Sequence, residues 1–154
     1  MYGNSTDLQY FYADVFLGSN RQRQSLIIDT GSSIAAVPCH NYCSSSYLKS
    51  SCGKHLNSWY EFDKSSEGYM YNCHSDQGCK CSDGNKCRFY QGYMEGSSYE
   101  GFMVKDQVYF GDSYHENFDA FKFSFGCVSK ETNLFYDQAA DGILGLGMGH
   151  SLST

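Results

Sequence analysis

Basic residues and long apolar runs are both scarce in this sequence. Its 11 Lys and Arg residues are outnumbered by 17 Asp and Glu residues, which gives a formal net charge of -6. Nucleic acids and anionic membranes attract basic protein surfaces, so this balance argues against a nucleic-acid partner. No segment approaches the roughly 18 consecutive apolar residues of a membrane-spanning helix, and no membrane anchor is visible in the sequence.

Proline is also rare, and Pro38 is the only one. Tyr and Phe are abundant, with 14 and 11 residues, and 16 Gly together with many Ser separate short apolar segments. This composition is typical of an all-β protein. A chain of 154 residues is long enough for one domain with a core and short for two. We therefore expect a single all-β domain over residues 1–154.

Short apolar segments bounded by turn residues predict the strands. Tyr10 to Gly18 and Ser25 to Asp29 form a predicted hairpin around a polar turn. The second strand contains Leu26-Ile27-Ile28, a continuous apolar run that we expect to be buried on both faces and to carry Asp29 at its end. Further strands are predicted at residues 87–93, 101–111, 121–125 and 142–147.

Eight cysteines point to disulfides formed in an oxidising compartment. Their number is even, and seven lie within a loop-rich region at about residues 39–87, where cross-links would take the place of a hydrophobic core. Up to four disulfides are predicted, and the spacing alone leaves their connectivity open. The cysteines are Cys39, Cys43, Cys52, Cys73, Cys79, Cys81, Cys87 and Cys127.

A zinc site is the competing interpretation of this cysteine cluster. Cys73-His74, Cys79, Cys81 and Cys87 have spacings that a zinc ion could tolerate. A paired Cys-x-x-Cys knuckle is missing, and cysteine-dense loops of secretory proteins are usually disulfide-bonded. We therefore favour disulfides and predict neither a metal ion nor another cofactor.

The start of the chain bears on its cellular route. Asn4-Ser5-Thr6 is an N-glycosylation sequon, in keeping with a glycoprotein of the secretory pathway that is vacuolar, lysosomal or extracellular. Met1-Tyr2-Gly3-Asn4 shows neither the basic nor the apolar segment of a signal peptide. We therefore expect the natural start of the protein to lie upstream.

The segment with the clearest chemistry is Asp29-Thr30-Gly31-Ser32-Ser33. It follows an apolar strand, and its glycine permits a tight turn that can hold a carboxylate at the floor of a cleft. The same triplet also occurs in ordinary turns, where the Asp side chain binds nearby backbone amides. On its own, the triplet leaves both interpretations open.

Four motifs follow one another along the chain: Phe16-Leu17-Gly18 with Leu26 to Ser33, Tyr93 to Gly101, Asp106 to Gly111 with Phe125-Gly126-Cys127, and Ala140 to Gly147. These motifs and their order resemble the pepsin family of aspartic peptidases over about residues 11–153, with Tyr93 to Gly101 similar to the flap hairpin of that family. The resemblance implies an amino-terminal pepsin-like lobe, built as a closed, orthogonally packed β-barrel.

Within that family, the cysteine pattern is similar to the nepenthesin and plasmepsin V-like subgroup. That resemblance implies a disulfide-rich insertion at about residues 39–87, before a flap hairpin at about residues 88–106. It also implies a disulfide between Cys39 and Cys127, with the other six cysteines paired inside the insertion.

The resemblance further implies a mechanism in which two aspartates share one proton. One carboxylate activates a water molecule and the other protonates the leaving amine of a polypeptide substrate. Asp29 would be one of the two. Thr30 would connect the turns of the two lobes, Gly31 would approach the substrate backbone, and Ser32 would hydrogen bond to the carboxylate.

The flap would close over the substrate and exclude water. Tyr93 would be its covering residue, with Glu95 and Gly96 at the tip. Ala36 stands where pepsin has a tryptophan that binds the flap tyrosine. We therefore expect the flap of this protein to be held differently, or more loosely.

No second Asp-Thr-Gly or Asp-Ser-Gly occurs in these residues. We therefore expect the chain to be inactive by itself and to need a carboxy-terminal lobe as partner, on a continuation of the same polypeptide rather than by self-dimerisation. A different class of function stays open: a pepsin-like scaffold or binding protein without catalysis, within a larger assembly.

Overall fold

Strands account for most of the backbone in the computed structural model, which describes residues 2–4, 10–43, 50–76, 79–81, 83–110 and 120–147. Helical turns are limited in these ranges to Phe62–Lys64, Asp83–Asn85 and α1 at Leu134–Asp137. The predicted all-β class is confirmed. The strands are β1 Tyr2–Asn4, β2 Tyr10–Leu17, β3 Gln22–Asp29, β4 Ala36–Pro38, β5 Tyr69–Met70, β6 Lys80–Cys81, β7 Cys87–Gly92, β8 Ser98–Phe110, β9 Phe121–Thr132 and β10 Gly142–Gly145.

Six of these strands close into a barrel in the order β2-β3-β10-β4-β9-β8, because β8 also pairs with β2. The pairs β3–β10 and β4–β9 are parallel, and the other four are antiparallel. Closure leaves no free edge among these six strands. The predicted closed barrel is therefore confirmed.

The first hairpin is tighter than predicted, since β3 begins at Gln22 and not at Ser25. Arg21 takes a positive φ of 52° in the turn, and Gln22 pairs with Leu17 directly after it. The polar character of Gln22, Arg23 and Gln24 concealed this part of the strand, although Gln24 is 1% exposed.

The barrel interior is filled by one large apolar residue or more from every barrel strand. Residues next to them in sequence point outward into a second cluster, as the two-residue period of a strand requires. Examples of the interior set are Val15, Leu26, Val37, Val104, Phe125 and Leu144.

The second cluster changes one detail of the prediction for β3. Leu26 is 3% exposed, whereas Ile27 and Ile28 are only half-buried. Ile27 packs against the second cluster on the outer side of the barrel. The expected burial on both faces is therefore wrong for these two residues: Ile27 lies on the outer face of the barrel strand, and Ile28 lies next to Asp29 at its end.

All eight cysteines form disulfides, and the implied pairing is confirmed. Cys39–Cys127 connects the end of β4 with β9, whose strands lie side by side. The remaining bonds, all inside the insertion, are Cys43–Cys52, Cys73–Cys81 and Cys79–Cys87.

Two further predictions concern the glycosylation sequon and membrane-spanning helices. Ser5 and Thr6 of the sequon lie outside the described residues. Within the described ranges, no helix combines the length and apolar character that a membrane crossing needs.

Candidate active site

Asp29 is the last residue of β3 and lies beside the parallel strand β10. Its Oδ1 accepts a hydrogen bond of 2.8 Å from the Gly31 backbone amide. The chain after β10 supports the same turn from behind, since the Leu146 amide donates to the Asp29 carbonyl at 2.7 Å and the Gly147 amide to the Ser32 carbonyl at 2.8 Å. The carboxylate is thus held at the end of a barrel strand by backbone groups.

The three residues after Asp29 differ in exposure. Thr30 and Gly31 are exposed, while Ser32 is 5% exposed. Among the described residues, no hydrogen bond joins Ser32 Oγ to the Asp29 carboxylate, so the bond implied by the resemblance is not formed. The Gly31 amide donates to one oxygen of Asp29 and the Tyr93 hydroxyl to the other.

The hairpin predicted as the flap consists of β7 and β8 and the turn between them. The Tyr93 amide donates to the Ser97 carbonyl at 2.9 Å, and the Gly96 amide donates to the Tyr93 carbonyl at 3.0 Å. Gly96 has a φ of +92°, a conformation that suits glycine and few other residues. Met94, Glu95 and Gly96 are exposed at the tip.

Tyr93 connects this hairpin to the aspartate. Its hydroxyl donates to Asp29 Oδ2 at 3.3 Å and lies 3.3 Å from the Tyr99 hydroxyl. Burial raises the pKa of Tyr93, and the negative charge of Asp29 adds to the rise, while the nearby Ser32 and Tyr99 hydroxyls oppose it. Tyr93 therefore keeps its proton at neutral pH and can act as a donor to the carboxylate.

Two aromatic residues that the sequence analysis did not single out surround Tyr93. The Phe135 ring lies 5.0 Å from the Tyr93 ring and the Tyr99 ring lies 6.0 Å from it. Tyr99 and Phe135 are 3% and 7% exposed. Strand alternation in β8 could have identified Tyr99 as a buried residue, whereas the short helix α1 that carries Phe135 has no comparable sequence signal.

Ala36 is buried in β4, with neighbours on β9 and β10. It offers no hydrogen-bonding side chain to the flap, and Tyr93 is bound to Tyr99 and Asp29 instead. The Tyr93 hydroxyl is thus held by Asp29 and Tyr99, without a partner at position 36.

The cysteine cluster considered for zinc is used in cross-links. Cys73, His74 and Cys81 bring their ligand atoms within 4.8 Å of one another. Cys73 and Cys81 are bonded to each other, and disulfide sulfurs lack the thiolate charge that binds a metal. This geometry favours the disulfide interpretation over a metal site.

Comparison with known proteins identifies the family. The family model described as xylanase inhibitor N-terminal matches residues 11–154, a range that contains the Asp29 turn and the Tyr93 hairpin. The chain belongs to the pepsin-like aspartic peptidase family.

Curated relatives in the pepsin-like family are aspartic proteases of parasites. Plasmepsin V of Plasmodium falciparum is 35% identical over 151 residues, covering 96% of this chain and 24% of that protein. Aspartic protease 5 of Toxoplasma gondii is 33% identical over 173 residues, covering 100% of this chain and 17% of that protein. The chain thus spans about a quarter of the length of these relatives, or less. The four disulfides of the chain and its likeness to these proteases point to a secretory or endomembrane route.

Proposed function

We propose that this chain is the amino-terminal lobe of an aspartic endopeptidase and that Asp29 is one of its two catalytic carboxylates. The observation that carries the proposal is the position of the Asp29 carboxylate, between the Gly31 amide on one oxygen and the Tyr93 hydroxyl on the other. The β7–β8 hairpin lies across the carboxylate, so an extended polypeptide substrate would run beneath it.

The reaction needs a second carboxylate close to the first. With one proton shared between the two, the ionised group takes a proton from water as the water oxygen attacks the peptide carbonyl carbon. The protonated group polarises the carbonyl oxygen and then gives its proton to the amine nitrogen as the carbon–nitrogen bond breaks. Asp29 supplies one carboxylate of this pair.

The second carboxylate would come from a carboxy-terminal lobe on the same polypeptide. Support for this comes from the greater length of the aspartic protease relatives and from the lack of another Asp-Thr/Ser-Gly in the 154 residues. Asp141 is no substitute, because its carboxylate already accepts hydrogen bonds from the Ser25 amide and from Asn57. We propose that the lobe is inactive without that partner.

The remaining roles are part of the same proposal. Thr30 and Gly31 are exposed at the site and would face the partner lobe and the substrate backbone. Glu95 and Gly96, also exposed, would contact the substrate from the flap. The protein would be glycosylated at Asn4 and would act in a vacuolar, lysosomal or extracellular compartment.

The decisive test is Asp29→Asn in the two-lobed polypeptide, assayed by pepstatin-sensitive cleavage of a peptide library at several pH values. Losing one member of the acid–base pair should lower kcat/KM more than about a thousandfold. Asp63→Asn, an exposed aspartate in the insertion, is the matched control and should leave cleavage unchanged. Cleavage that survives Asp29→Asn would refute the proposal.

A wild-type two-lobed protein that cleaves no peptide would favour the second candidate, a non-catalytic binding protein. The observation behind this candidate is that the matching family model is described by the name of an inhibitor. A retained pepsin-like fold is compatible with either outcome, so activity must be measured on this protein itself.

A further inference from the structure

We infer that Asn133 and Tyr99 are positioning residues that latch the flap tip and hold the Tyr93 hydroxyl over Asp29. As far as catalysis is concerned, the inference rests on the proposed function. The latch itself is a feature of this chain, formed between the β7–β8 hairpin and the turn that connects β9 with α1.

Two hydrogen bonds attach the flap tip to that turn. The Asn133 side-chain Nδ2 donates to the Gly96 carbonyl at 2.8 Å. The Leu134 backbone amide donates to Ser97 Oγ at 3.2 Å, and Ser97 is 1% exposed. The tip is thus anchored at two adjacent residues, each by a group 37 positions further along the chain.

The backbone of Asn133 is itself unusual. Its φ is 50° and its ψ is -124°, and positive φ values are uncommon outside glycine. Strained residues persist where surrounding contacts enforce them, and they are frequent at ligand clamps and switch regions. The contacts of Asn133 are its side-chain bond to the Gly96 carbonyl and the Tyr136 and Asp137 amides, which donate to its own carbonyl.

Below the tip, Tyr93 is enclosed by aromatic rings. Its ring packs on Phe135 of α1, which also lies 5.0 Å from Tyr99 in an edge-on arrangement. Tyr99 further contacts Phe89 at 5.9 Å and places its hydroxyl 3.3 Å from that of Tyr93. Tyr99 therefore supplies the hydroxyl partner that Ala36 cannot supply.

These contacts hold the hairpin against the Asp29 turn and the start of α1. Only a closed complex holds substrate, flap and catalytic carboxylates together, so contacts that favour closure raise the fraction of bound substrate that can react. Removing a latch contact should therefore lower kcat and have less effect on KM.

Asn133→Asp tests the latch without any assay of activity. The substitution keeps the size of the side chain but places a carboxylate oxygen, which cannot donate, against the Gly96 carbonyl. Hydrogen exchange of the 154-residue chain should become about tenfold faster at the Tyr93 and Gly96 amides, because the net contribution of one hydrogen bond is lost. Amides in the middle of β7 and β8 should be unchanged.

Asn85→Asp is the matched control, because the substitution makes the same change in charge. Asn85 is an exposed asparagine of positive φ away from the flap. Unchanged exchange at the flap tip in folded Asn133→Asp would overturn the latch. Faster exchange spread evenly over β7, β8 and β9 would also overturn it, since that pattern reports a loss of overall stability.

The kinetic consequence is measured in the two-lobed polypeptide. Asn133→Asp and Tyr99→Phe should each lower kcat about three- to tenfold with less than about a twofold change in KM, while Tyr2→Phe, an exposed tyrosine on β1, should change neither. A rise in KM with kcat unchanged would overturn the positioning role. If the wild type cleaves nothing, the proposed function fails, and the exchange experiment still decides on the latch.

Discussion

The barrel and the insertion at residues 39–87 are stabilised by different interactions. Branched and aromatic residues from all six strands meet inside the barrel, and burying each of them contributes roughly 1.5–3 kcal/mol. In the insertion, the buried apolar residues that the structure describes are four cysteines and Tyr60. Where the chain offers few apolar side chains, covalent bonds and polar contacts fix it in place.

Those contacts are concentrated at the boundary with the barrel. Cys39 of the insertion is bonded to Cys127 of β9. The buried Tyr60 hydroxyl donates to Asp106 of β8 at 2.7 Å. A buried ion pair, His55–Glu131, and an exposed one, Glu67–Lys122, cross the same boundary. The comparison therefore predicts that covalent boundary contacts contribute most to the free energy of unfolding, buried ion pairs less, and exposed ion pairs least.

Removing disulfides should lower the free energy of unfolding most. Cys39→Ala with Cys127→Ala opens a link across 88 residues, whereas Cys73→Ala with Cys81→Ala opens one across 8. Chain-entropy estimates give losses of about 4–5 and about 2–3 kcal/mol in the free energy of unfolding. Denaturant titrations of both double variants measure the difference, and equal losses would show that the boundary bond has no special weight.

The buried ion pair His55–Glu131 should make the next largest contribution to the free energy of unfolding. His55 Nε2 lies 3.0 Å from Glu131 Oε2, and His55 Nδ1 lies 3.0 Å from the Gln138 carbonyl. Both neighbours are acceptors, so only the doubly protonated imidazolium can donate to both. Burial lowers the pKa of His55, but the hydrogen bond and charge of Glu131, the Gln138 carbonyl and Asp141 raise it further, so it lies above 6.5.

A raised histidine pKa stabilises the folded state at low pH. The contribution is complete below about pH 6.5 and is lost as pH rises through the higher folded-state pKa. His55→Gln should therefore cost about 3 kcal/mol at pH 5 and progressively less towards pH 9, in unfolding titrations of both proteins. His40→Gln, an exposed histidine of the insertion, is the control. A cost that is constant with pH would contradict the charged assignment.

The smallest effect is expected for Glu67–Lys122. Its side chains are 45% and 44% exposed, with the charged atoms 2.7 Å apart. Solvent-exposed pairs contribute little, so a double-mutant cycle with Glu67→Gln and Lys122→Met should give a coupling below about 0.5 kcal/mol. A coupling that matches the His55–Glu131 pair would remove burial as the reason for the ranking.

The barrel strands were predictable where apolar residues alternate, as in β8 and β9, and where a motif marks the strand end, as at Asp29. Pattern reading missed the start of β3, because Gln22, Arg23 and Gln24 are polar although Gln24 is buried. In the candidate site, Asp29 and Tyr93 were predicted and are brought together.

Asn133 and Phe135 could not be predicted, because their contacts depend on where α1 lies in the fold. The Ser32 hydrogen bond was expected from resemblance, whereas the described donors to the carboxylate are the Gly31 amide and the Tyr93 hydroxyl.

The parallel pairing of β3 with β10 has a consequence for synthesis. The Ser25 amide and the Asp141 carboxylate that join the two strands are 116 residues apart, and the Leu146 and Gly147 amides that support the Asp29 turn come later still. A chain emerging from the ribosome therefore carries its aspartate long before the backbone that orients it. The turn acquires its final geometry only when the last barrel strand has been made, and such distant pairings form slowly.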